Sequence, residues 1–487
     1  MAVRDRRAQR GYLMADYIKA TDLYTLTECD RRIYLNYFGN PDERVPRAPF
    51  EEWLAQEGER FEQTVIEQFT EVYQPRYRIG DLEAGYDATL ELMAEGVPII
   101  YQGVIIHDIM IGIPDLLERV EGGSRLGGYY YRPIDIKLAT RAKLGHRLQV
   151  MAYIALLEGL QGIRPDGSLF LRLPPEERSE TALYQEEKVA LDEQIFADKL
   201  AEIRELAAGL QPRPFISSVC KSCPWHDSCL DLADQERDVS LIPGLPRKVW
   251  AELHARGMGT LPAAASATRA QLINISGVGD KRAFDIIHRS RSLDANTMIQ
   301  VATPDLPEPG PVETFFDVES IPTEGIIYLF GALIGANRRY EFAVDLAPTF
   351  ADEHRAWQDF LRRMDRTPGY VYHYGTYERT AIKQLMARYG DDPRAHGLLD
   401  RMIDLEKVLK AAVVLPLRGY SLKDVAPWLG FEWQGTTDNA ADSMVEYITY
   451  QTDGDRDRLD GVMRYNEDDC YATVHIRDWL LTLPHIK

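Results

Sequence analysis

A proline-rich segment, VATPDLPEPGPVE at 301–313, divides the 487-residue sequence into two long parts. Its four prolines exclude a regular helix and a central strand, so we expect a linker there. On both sides, apolar runs of strand length alternate with amphipathic stretches, which predicts an α/β domain in each part. The expected organisation is an α/β domain at 1–237, a region of short helices at 238–300, the linker at 301–313 and a second α/β domain at 314–487.

The composition is that of a globular protein, with 45% apolar and 27% charged residues. No apolar run approaches the roughly 20 residues of a membrane helix, so no membrane partner is expected. The N-terminal stretch has neither the apolar core nor the cleavage site of a signal peptide. Five cysteines, mostly clustered, also argue against a disulfide framework, and the expected location is cytoplasmic.

The net charge of -20 disfavours nonspecific binding to nucleic acid, because phosphate binding relies on Lys and Arg. The charge is nevertheless uneven. Residues 241–295 carry eight Lys and Arg against four Asp and Glu, a local excess of four positive charges. The global charge therefore does not exclude a nucleic-acid partner.

The first part contains an ordered set of polar residues next to apolar runs. GIPDLLERV ends a predicted strand with Asp115, and PIDIK places Asp135 and Lys137 on one face of a strand. The following amphipathic helix carries Gln149 and Tyr153 as i, i+4 neighbours. Hydrolysis of a phosphodiester requires a divalent cation held by carboxylates and a positive group near the attacking water. A D-x-K pair alone is more often solvated, but the ordered set favours such a site.

The order G-I-P-D, D-x-K and Q-x-x-x-Y resembles the PD-(D/E)xK nuclease superfamily, in particular its RecB-like branch. By this resemblance the two aspartates would bind magnesium or manganese, the lysine would assist catalysis, and the glutamine and tyrosine would line the DNA path. The branch usually has a histidine on an upstream helix, where this chain has Glu62, four residues after Gly58. A glutamate can also bind a hard metal ion, although Glu62 is equally compatible with a surface position.

Three cysteines, Cys220, Cys223 and Cys229, lie within ten positions, and Cys29 lies 191 residues before the first of them. A structural zinc site usually has two close pairs, whereas three clustered thiolates and a distant one are compatible with an iron–sulfur cluster. One RecB-like branch, which includes CRISPR-adaptation nucleases, has one cysteine before the nuclease core and three after it. The resemblance implies a 4Fe-4S cluster that joins the ends of the domain. The alternative is a zinc site formed by the three close cysteines and His226, with Cys29 as a buried residue.

The basic region contains two glycine turns, each followed by a pair of basic residues. Such turns at a helix N-terminus allow backbone N–H groups to approach a phosphate. The two copies resemble a helix-hairpin-helix pair, which implies binding to the DNA backbone without sequence preference. Plain αα-hairpins or a rigid spacer remain the alternatives. The residues that would contact DNA are Gly244, Arg247, Lys248, Gly277, Gly279, Lys281 and Arg282.

The last part has a second set of carboxylates. Asp317 and Glu319 lie at i and i+2 on its first predicted strand, and a long predicted helix near the C-terminus carries Tyr465 and Asp469 at i and i+4. Glu378 lies at a predicted strand–helix junction. Four carboxylates could hold two cations beside a scissile phosphate, and the tyrosine could orient the attacking water.

This order resembles the DEDD exonucleases of RNase H-like fold, in the subclass that carries a tyrosine. That family normally has an aspartate where Glu378 stands, which would shift the second metal ion. Asp404 is either a substitute ligand or a residue that supports the fold by capping a helix. Cys470 is expected to be an unligated packing residue.

The predicted fold class is α/β, with a PD-(D/E)xK restriction-endonuclease-like domain, a small all-α helix-hairpin-helix region and an RNase H-like domain. The resemblances imply a nuclease that uses magnesium or manganese and hydrolyses single-stranded or end-bearing DNA in repair or defence. The sequence has no Walker A motif, so any helicase would be a partner in trans. The alternatives are a DNA-binding scaffold whose sites have decayed, and a 3'-5' RNA exonuclease that acts through the last domain.

Overall fold

The structure, a computed structural model, describes residues 17–179, 181–336, 339–435 and 439–486. The N-terminal stretch from which the absence of a signal peptide is predicted lies outside the described residues. The chain divides into two compact units, Met1–Pro214 with Ser218–Cys229, and Phe215–Ser217 with Leu230–Lys487. None of the helices formed by the described residues has the length and apolarity needed to cross a bilayer.

The strands of the first unit form two sheets. They are β1 (Ile18–Lys19), β2 (Val72–Tyr73), β3 (Ile99–Tyr101), β4 (Ile105–His107), β5 (Met110–Gly112), β6 (Leu116–Ser124), β7 (Gly127–Lys137), β8 (Gly167–Arg172) and β9 (Tyr184–Val189). The larger sheet has the order β2-β3-β6-β7-β8-β9, and the smaller one has the order β1-β5-β4. Strands β6 and β7 form an antiparallel hairpin, whereas β7 and β8 are parallel.

The described residues of the first unit form six complete helices and the start of a seventh. They are α1 (Ala20–Glu28), α2 (Asp30–Phe38), α3 (Pro49–Ile66), α4 (Leu82–Glu95), α5 (Leu144–Gln161), α6 (Glu193–Ala207) and α7 (His226–Gln235), which continues into the second unit from Leu230. Helix α5 connects the parallel strands β7 and β8 and is buried along most of its length. Because buried polar groups need hydrogen-bond partners, the polar side chains of α5 are constrained in position.

The basic region of the second unit folds into four short helices. They are α8 (Arg247–Ala255), α9 (Leu261–Ala265), α10 (Arg269–Ile273) and α11 (Asp280–Ala295). These helices enclose a hydrophobic core of their own. Gly244 and Gly277 have φ of +70° and +84°, a left-handed conformation that glycine adopts without strain. The two predicted glycine turns are present, but the region predicted as all-α, 238–300, ends in a short strand at Ile299–Gln300.

The rest of the second unit is built on a five-stranded mixed sheet. The strands of this part of the unit are β10 (Ile299–Gln300), β11 (Glu313–Ile321), β12 (Ile326–Ala336), β13 (Arg339–Leu346), β14 (Val371–His373), β15 (Met402–Asp404) and β16 (Val413–Val414). The sheet order is β13-β12-β11-β14-β15, with β10 and β16 paired separately. The first three strands are antiparallel, and β11, β14 and β15 are parallel. The α/β class predicted for both parts of the chain is confirmed.

Seven helices cover this sheet. They are α12 (Glu353–Arg366), α13 (Tyr377–Tyr389), α14 (Pro393–Asp400), α15 (Leu405–Ala412), α16 (Leu422–Trp428), α17 (Ala440–Asp453) and α18 (Arg456–Leu481). Helix α18 packs on β11 and β12 and buries one face along its whole length.

The proline-rich segment is irregular, as predicted, up to the start of β11. The start of the segment is nevertheless fixed by backbone hydrogen bonds. The backbone N–H groups of Val301 and Ala302 both donate to the carbonyl oxygen of Ala412, at 2.8 and 3.1 Å. These two residues precede the first proline, so they still have the N–H groups that the later prolines lack.

A buried ion pair joins α18 to the start of β11. The Arg477 guanidinium bonds to the Glu313 carboxylate, and both side chains are almost fully buried. The guanidinium also lies 4.8 Å from the ring centre of Phe315 and 5.3 Å from that of Tyr372. Removing one partner of such a pair leaves the other charge buried and uncompensated.

We therefore expect Arg477→Ala to lower the free energy of unfolding of the second unit by about 3–5 kcal/mol. Urea denaturation followed by fluorescence would measure the change. Arg464→Ala, on the exposed side of the same helix, is the matched control and should change stability by less than about 0.5 kcal/mol. A loss for Arg477→Ala no larger than that of the control would contradict the expected cost.

Candidate metal-binding sites

Three carboxylates meet in the second unit, of which Glu319 and Asp469 are buried and Asp317 is partly exposed. Asp317 and Glu319 extend from β11 and Asp469 from α18, and one oxygen of each lies within 4.8 Å of the other two. Throughout the part of the chain that the structure describes, this is the single group of three or more His, Cys, Asp or Glu ligand atoms gathered so closely. Burial and repulsion between neighbouring carboxylates raise the pKa of Asp317 and of Glu319 well above the ordinary range. The oxygen-only donor set suits a hard divalent cation such as magnesium or manganese.

Backbone periodicity explains how these carboxylates come together. Asp317 and Glu319 share one face of β11 because strand side chains alternate. Asp317 pairs in register with Gly331 on β12, and Asn466 of α18 donates from Nδ2 to Asp317 Oδ2 at 2.6 Å. A Cβ at position 331 would lie 1.7 Å from Asn466 Oδ1. Glycine at this position therefore makes room for the amide that orients Asp317.

A lysine that the sequence analysis missed completes the site. Lys423 Nζ donates to Asp469 Oδ1 at 2.9 Å, and Trp433 Nε1 donates to the same oxygen at 2.6 Å. Lys423 Nζ also lies 3.8 Å from the ring centre of Trp433 and 4.1 Å from that of Tyr465. Burial lowers the pKa of Lys423, although the adjacent carboxylates act in the opposite direction.

Tyr465 is buried beside the three carboxylates. Burial and the negative charges of Asp469, Glu319 and Asp317 raise the pKa of Tyr465 above the ordinary range. The side chain is therefore a neutral phenol at physiological pH. Its hydroxyl can orient a water molecule by hydrogen bonding but cannot act as a base.

Glu378 lies in the first turn of α13, at the predicted strand–helix junction. It is buried, and its Oε2 lies 3.3 Å from His373 Nδ1. Its charge contributes to the raised pKa of Asp317, but its oxygens lie outside the three-carboxylate group. Asp404 caps helix α15, because its Oδ1 accepts from the backbone N–H of Lys407 at 3.2 Å. Of the two roles considered for Asp404, the structure supports the cap.

The first unit brings Asp115, Asp135 and Lys137 together. Asp135 and Lys137 extend from the same face of β7, and Lys137 Nζ lies 2.6 Å from Asp135 Oδ2. Asp115 Oδ2 accepts from the backbone N–H of Ile136 at 2.5 Å. One local expectation is wrong, because Asp115 precedes β6 instead of ending a strand. Strand β5 ends at Gly112, and Pro114 just beyond it has no N–H to donate to a neighbouring strand.

The electrostatics of this site resemble those of the second unit. Burial and the neighbouring charge of Asp135 raise the pKa of Asp115 well above the ordinary range. Burial alone would lower the pKa of Lys137, but the carboxylates of Asp135 and Asp115 outweigh it and raise that pKa. The lysine therefore stays positively charged beside two carboxylates.

Gln149 and Tyr153 lie on α5 and contact each other, as their spacing predicts. Gln149 Nε2 donates to the Tyr153 hydroxyl at 2.7 Å, and that hydroxyl donates to the Ile113 carbonyl at 3.2 Å. Burial and the charges of Asp135 and Asp115 raise the pKa of Tyr153, so the tyrosine lies near the same carboxylates. Glu62 on α3 accepts from Gln102 Nε2 at 3.1 Å and contributes to the raised pKa of Asp115.

The four clustered cysteines all belong to the first unit and are free thiols. Cys29 lies at the junction of α1 and α2. Burial raises the pKa of Cys29 to about 11, and Asp30, Cys220 and Cys223 add to the effect. Burial also raises the pKa of Cys229, the hydrogen bond and charge of Arg31 act in the opposite direction, and Cys223 and Cys220 add smaller contributions. The four side chains are therefore close enough to interact electrostatically.

The spacing of these thiols differs from that of a tetrahedral zinc site. Zn–S bonds of about 2.3 Å hold the sulfurs roughly 3.8 Å apart. In the described part of the chain, no three cysteine sulfurs lie within 4.8 Å of one another. His226, the proposed fourth zinc ligand, has its Nδ1 3.2 Å from Asp227 Oδ1. Cys470, by contrast, is buried in the core of the second unit and donates to the Gly331 carbonyl, which agrees with a packing role.

The basic side chains predicted at the hairpins differ in the contacts that they make within the protein. Lys248 and Lys281 are exposed and form no ion pair with any described residue. Arg282 turns back and donates to the Gly277 carbonyl, and Arg247 lies 5.5 Å from the ring centre of Phe215. The two lysines are therefore the basic groups at the turns that remain available to a ligand.

Comparisons with known proteins give a superfamily match for each of the two α/β parts of the chain. Residues 18–230 match a model of the PD-(D/E)XK nuclease superfamily, and residues 314–481 match a model of the RNase_H superfamily. The crystal structure of an alkaline exonuclease (LHK-Exo) from Laribacter hongkongensis is similar at 12% identity, over 40% of this chain and 87% of that chain, with a TM-score of 0.19. No curated protein matches the sequence. The two family matches confirm the predicted PD-(D/E)xK-like and RNase H-like α/β domains, and they support a nuclease that acts on nucleic acid.

Proposed function

We propose that the chain is a nuclease with two metal-dependent active sites, one in the domain at 1–237 and one in the domain at 314–487. The region at 238–300 and the segment at 301–313 join them. The observation that carries this proposal is the close group of Asp317, Glu319 and Asp469, of which the last two are buried. Carboxylates largely removed from water are costly unless they are paired or bind a cation, and Lys423 pairs with only one of the three, so the group supports a bound metal ion.

In the second unit, Asp317, Glu319 and Asp469 would hold magnesium or manganese, with Glu378 as a further ligand. The bound ions would polarise the phosphate and lower the pKa of a coordinated water. Tyr465 would orient the attacking water through its neutral hydroxyl. Lys423 would hold Asp469 in place and provide a positive charge beside the reacting phosphate.

In the first unit, Asp115 and Asp135 would be the metal ligands, and Glu62 would take the place usually held by histidine. Lys137, which stays charged, would stabilise the developing negative charge on the phosphate. Gln149 and Tyr153 would position the nucleic acid. Their mutual hydrogen bond and the burial of α5 support a fixed geometry for this pair.

The proposed substrate is DNA with single strands or free ends, processed in repair or defence, with a helicase as a possible partner in trans. The hairpin region would hold the DNA backbone through its two glycine turns, and the exposed Lys248 and Lys281 support this role. A scaffold with decayed sites is disfavoured, because both sets of carboxylates are retained, each with a lysine paired to one of them. The cytoplasmic location stays a prediction.

We also propose that Cys29, Cys220, Cys223 and Cys229 bind a 4Fe-4S cluster. Four thiols from both ends of the first unit supply the number of ligands that such a cluster requires. The charges of Cys220 and Cys223 contribute to the raised pKa of Cys29, so Cys29 lies near two of the other thiols, which favours a four-cysteine cluster over the zinc alternative that leaves Cys29 out. The cluster would connect the helices around Cys29 to the segment at 220–229 and so close the unit.

The test is cleavage by the full chain after dialysis against EDTA. Labelled DNA and RNA oligonucleotides of matched sequence would be incubated with added magnesium or manganese. We expect cleavage of single-stranded DNA that requires the metal and is lost in the double variant Asp135→Asn/Asp317→Asn. Faster cleavage of RNA would select the RNA exonuclease alternative. Tight DNA binding without turnover in either metal would select the scaffold.

Lys423 offers a separate prediction, made in a chain whose first site carries Asp135→Asn. We expect Lys423→Ala to lower kcat about 100-fold, because it removes a buried positive charge from the site and releases Asp469. Single-turnover cleavage would measure the effect. Lys407→Ala, an exposed lysine on α15, is the matched control. A kcat within twofold of the parent would show that Lys423 has no part in the reaction.

A further inference from the structure

We infer that the hairpin region serves the active site of the second unit rather than that of the first. This inference rests on the proposed function and identifies which of the two sites the hairpins supply with nucleic acid. The sequence places the hairpins between the two catalytic domains, where they could equally serve either one. In the structure the hairpins belong with one of the two catalytic domains, because the helices α8–α11 and the five-stranded sheet form part of one compact unit.

Several contacts fix the hairpin region to the catalytic part of the second unit. Strand β10, which directly follows α11, pairs antiparallel with β16, with Ile299 opposite Val414. Ser292 Oγ at the end of α11 donates to the Val414 carbonyl at 3.2 Å. Arg418 Nη2 contacts both carboxylate oxygens of Asp234, at 2.5 and 2.6 Å. Backbone pairing, a buried hydroxyl and an ion pair together restrict rotation of one part against the other.

The same contacts reach the turn that leads to Lys423. The Arg289 guanidinium of α11 lies 4.6 Å from the ring centre of Tyr420, which is buried. The Tyr420 hydroxyl accepts from the backbone N–H of Leu415 at 2.7 Å, and this bond closes the turn. Helix α16 begins two residues after Tyr420, and Lys423 is its second residue. The turn at 415–421 is therefore packed against the hairpin helix and presents Lys423 to the carboxylates.

This arrangement has a consequence for binding. A strand held at Lys248 and Lys281 is held by the same compact unit that carries Asp317 and Asp469. Binding at the hairpins therefore raises the local concentration of that strand at the second unit's carboxylates, provided that the strand is long enough to reach both. A short oligonucleotide gains nothing from the hairpins.

The test compares the double variant Lys248→Ala/Lys281→Ala in two full-length backgrounds. Asp135→Asn leaves only the second unit's site active, and Asp317→Asn leaves only the first unit's site active. The substrates are a labelled 30-nucleotide and a labelled 5-nucleotide single-stranded DNA with manganese.

In the Asp135→Asn background we expect kcat/KM on the 30-mer to fall about tenfold, because the loss of two phosphate contacts raises KM. We expect a loss at least fivefold smaller with the 5-mer and in the Asp317→Asn background. The control Lys407→Ala/Arg366→Ala removes two exposed positive charges elsewhere.

A second readout does not depend on turnover. The 30-mer, with a photoreactive base at its 3'-terminal nucleotide, is cross-linked to the full chain in calcium. We expect the hairpin variant to reduce cross-linking to peptides of the second unit about tenfold and to the first unit much less. Equal losses in both units, or a larger loss in the first unit, would overturn the inference. Failure of the proposed function would look different, namely no cleavage in the Asp135→Asn chain while cross-linking is retained.

The contact between Arg418 and Asp234 is tested by exchanging the two charges in the Asp135→Asn background. Arg418→Asp should raise KM for the 30-mer about fivefold, since it places two carboxylates face to face. Adding Asp234→Arg restores an ion pair of reversed polarity and should return KM to within twofold of the parent. An unchanged KM in Arg418→Asp, or failure of the second substitution to restore it, would contradict a role for this contact in holding the strand.

Discussion

With the first site inactivated by Asp135→Asn, the additional substitution Asp317→Asn is expected to lower manganese-dependent cleavage by at least about 1000-fold. Loss of a metal ligand removes several kcal/mol of transition-state stabilisation, and about 4 kcal/mol corresponds to that factor. Initial rates on single-stranded DNA over a manganese titration would measure the change. Asp453→Asn, at an exposed aspartate that ends α17, is the matched control for loss of one negative charge. Retention of more than a tenth of the parent rate would contradict a ligand role for Asp317.

The same substitution should increase stability in EDTA while it removes activity. Burial and repulsion raise the pKa of Asp317 and Glu319, so the ionised carboxylates oppose folding when no cation is bound. A group whose pKa is raised by folding stabilises the fold at low pH, and this contribution is lost as pH rises through the raised pKa. The stability advantage of Asp317→Asn over its parent should therefore grow with rising pH. Thermal unfolding in EDTA at several pH values measures it, and a lower Tm than the parent at high pH would contradict the electrostatic interpretation.

Manganese should stabilise the parent and have a much smaller effect on the Asp317→Asn variant. A ligand at 100 times its Kd stabilises the folded state by about 2.7 kcal/mol when it does not bind the unfolded chain. The thermal shift on adding manganese therefore separates metal binding from catalysis.

Cys29→Ser is expected to remove iron from the protein and to destabilise the first unit. The cluster would join Cys29 to Cys220 across 191 residues, and closing a loop of that size constrains the unfolded chain. By analogy with covalent cross-links over long loops, the loss should be about 3–5 kcal/mol. Anaerobic purification followed by iron and zinc analysis, a visible spectrum and limited proteolysis would measure both effects.

Cys470→Ala is the control for this experiment, because Cys470 is buried in the second unit and far from the others in sequence. It should keep full iron content. A colourless parent protein that contains one zinc ion would replace the iron–sulfur assignment by the zinc alternative. In that case, a Cys29→Ser variant that still binds zinc would identify Cys29 as a packing residue.

The parts of both sites that follow local periodicity could be predicted from the sequence. Asp135 and Lys137, like Asp317 and Glu319, share a strand face because side chains alternate there, and Tyr465 and Asp469 share a helix face because they are four residues apart. These relations depend only on secondary structure. Glu378 illustrates the limit of such reasoning, since its place at a strand–helix junction is as predicted but its oxygens lie outside the carboxylate group.

Residues delivered to a site by tertiary packing could not be predicted in this way. Lys423 lies 46 positions before Asp469, and Trp433 lies 36 positions before it. No spacing rule connects residues so far apart on different elements. The packed course of the proline-rich segment was missed for the same reason, because its partner, Ala412, is more than 100 residues away in sequence.

The close approach of Gly331 and Asn466 limits what a motif search can recognise. A related chain could keep every residue of the D-x-E and Y-x-x-x-D patterns and still lose the site through an alanine at 331, since the added methyl group would displace the amide that holds Asp317. Glycine at 331 and asparagine at 466 should therefore change together across related sequences. Their joint presence would be a better marker of an active site than the carboxylate motifs alone.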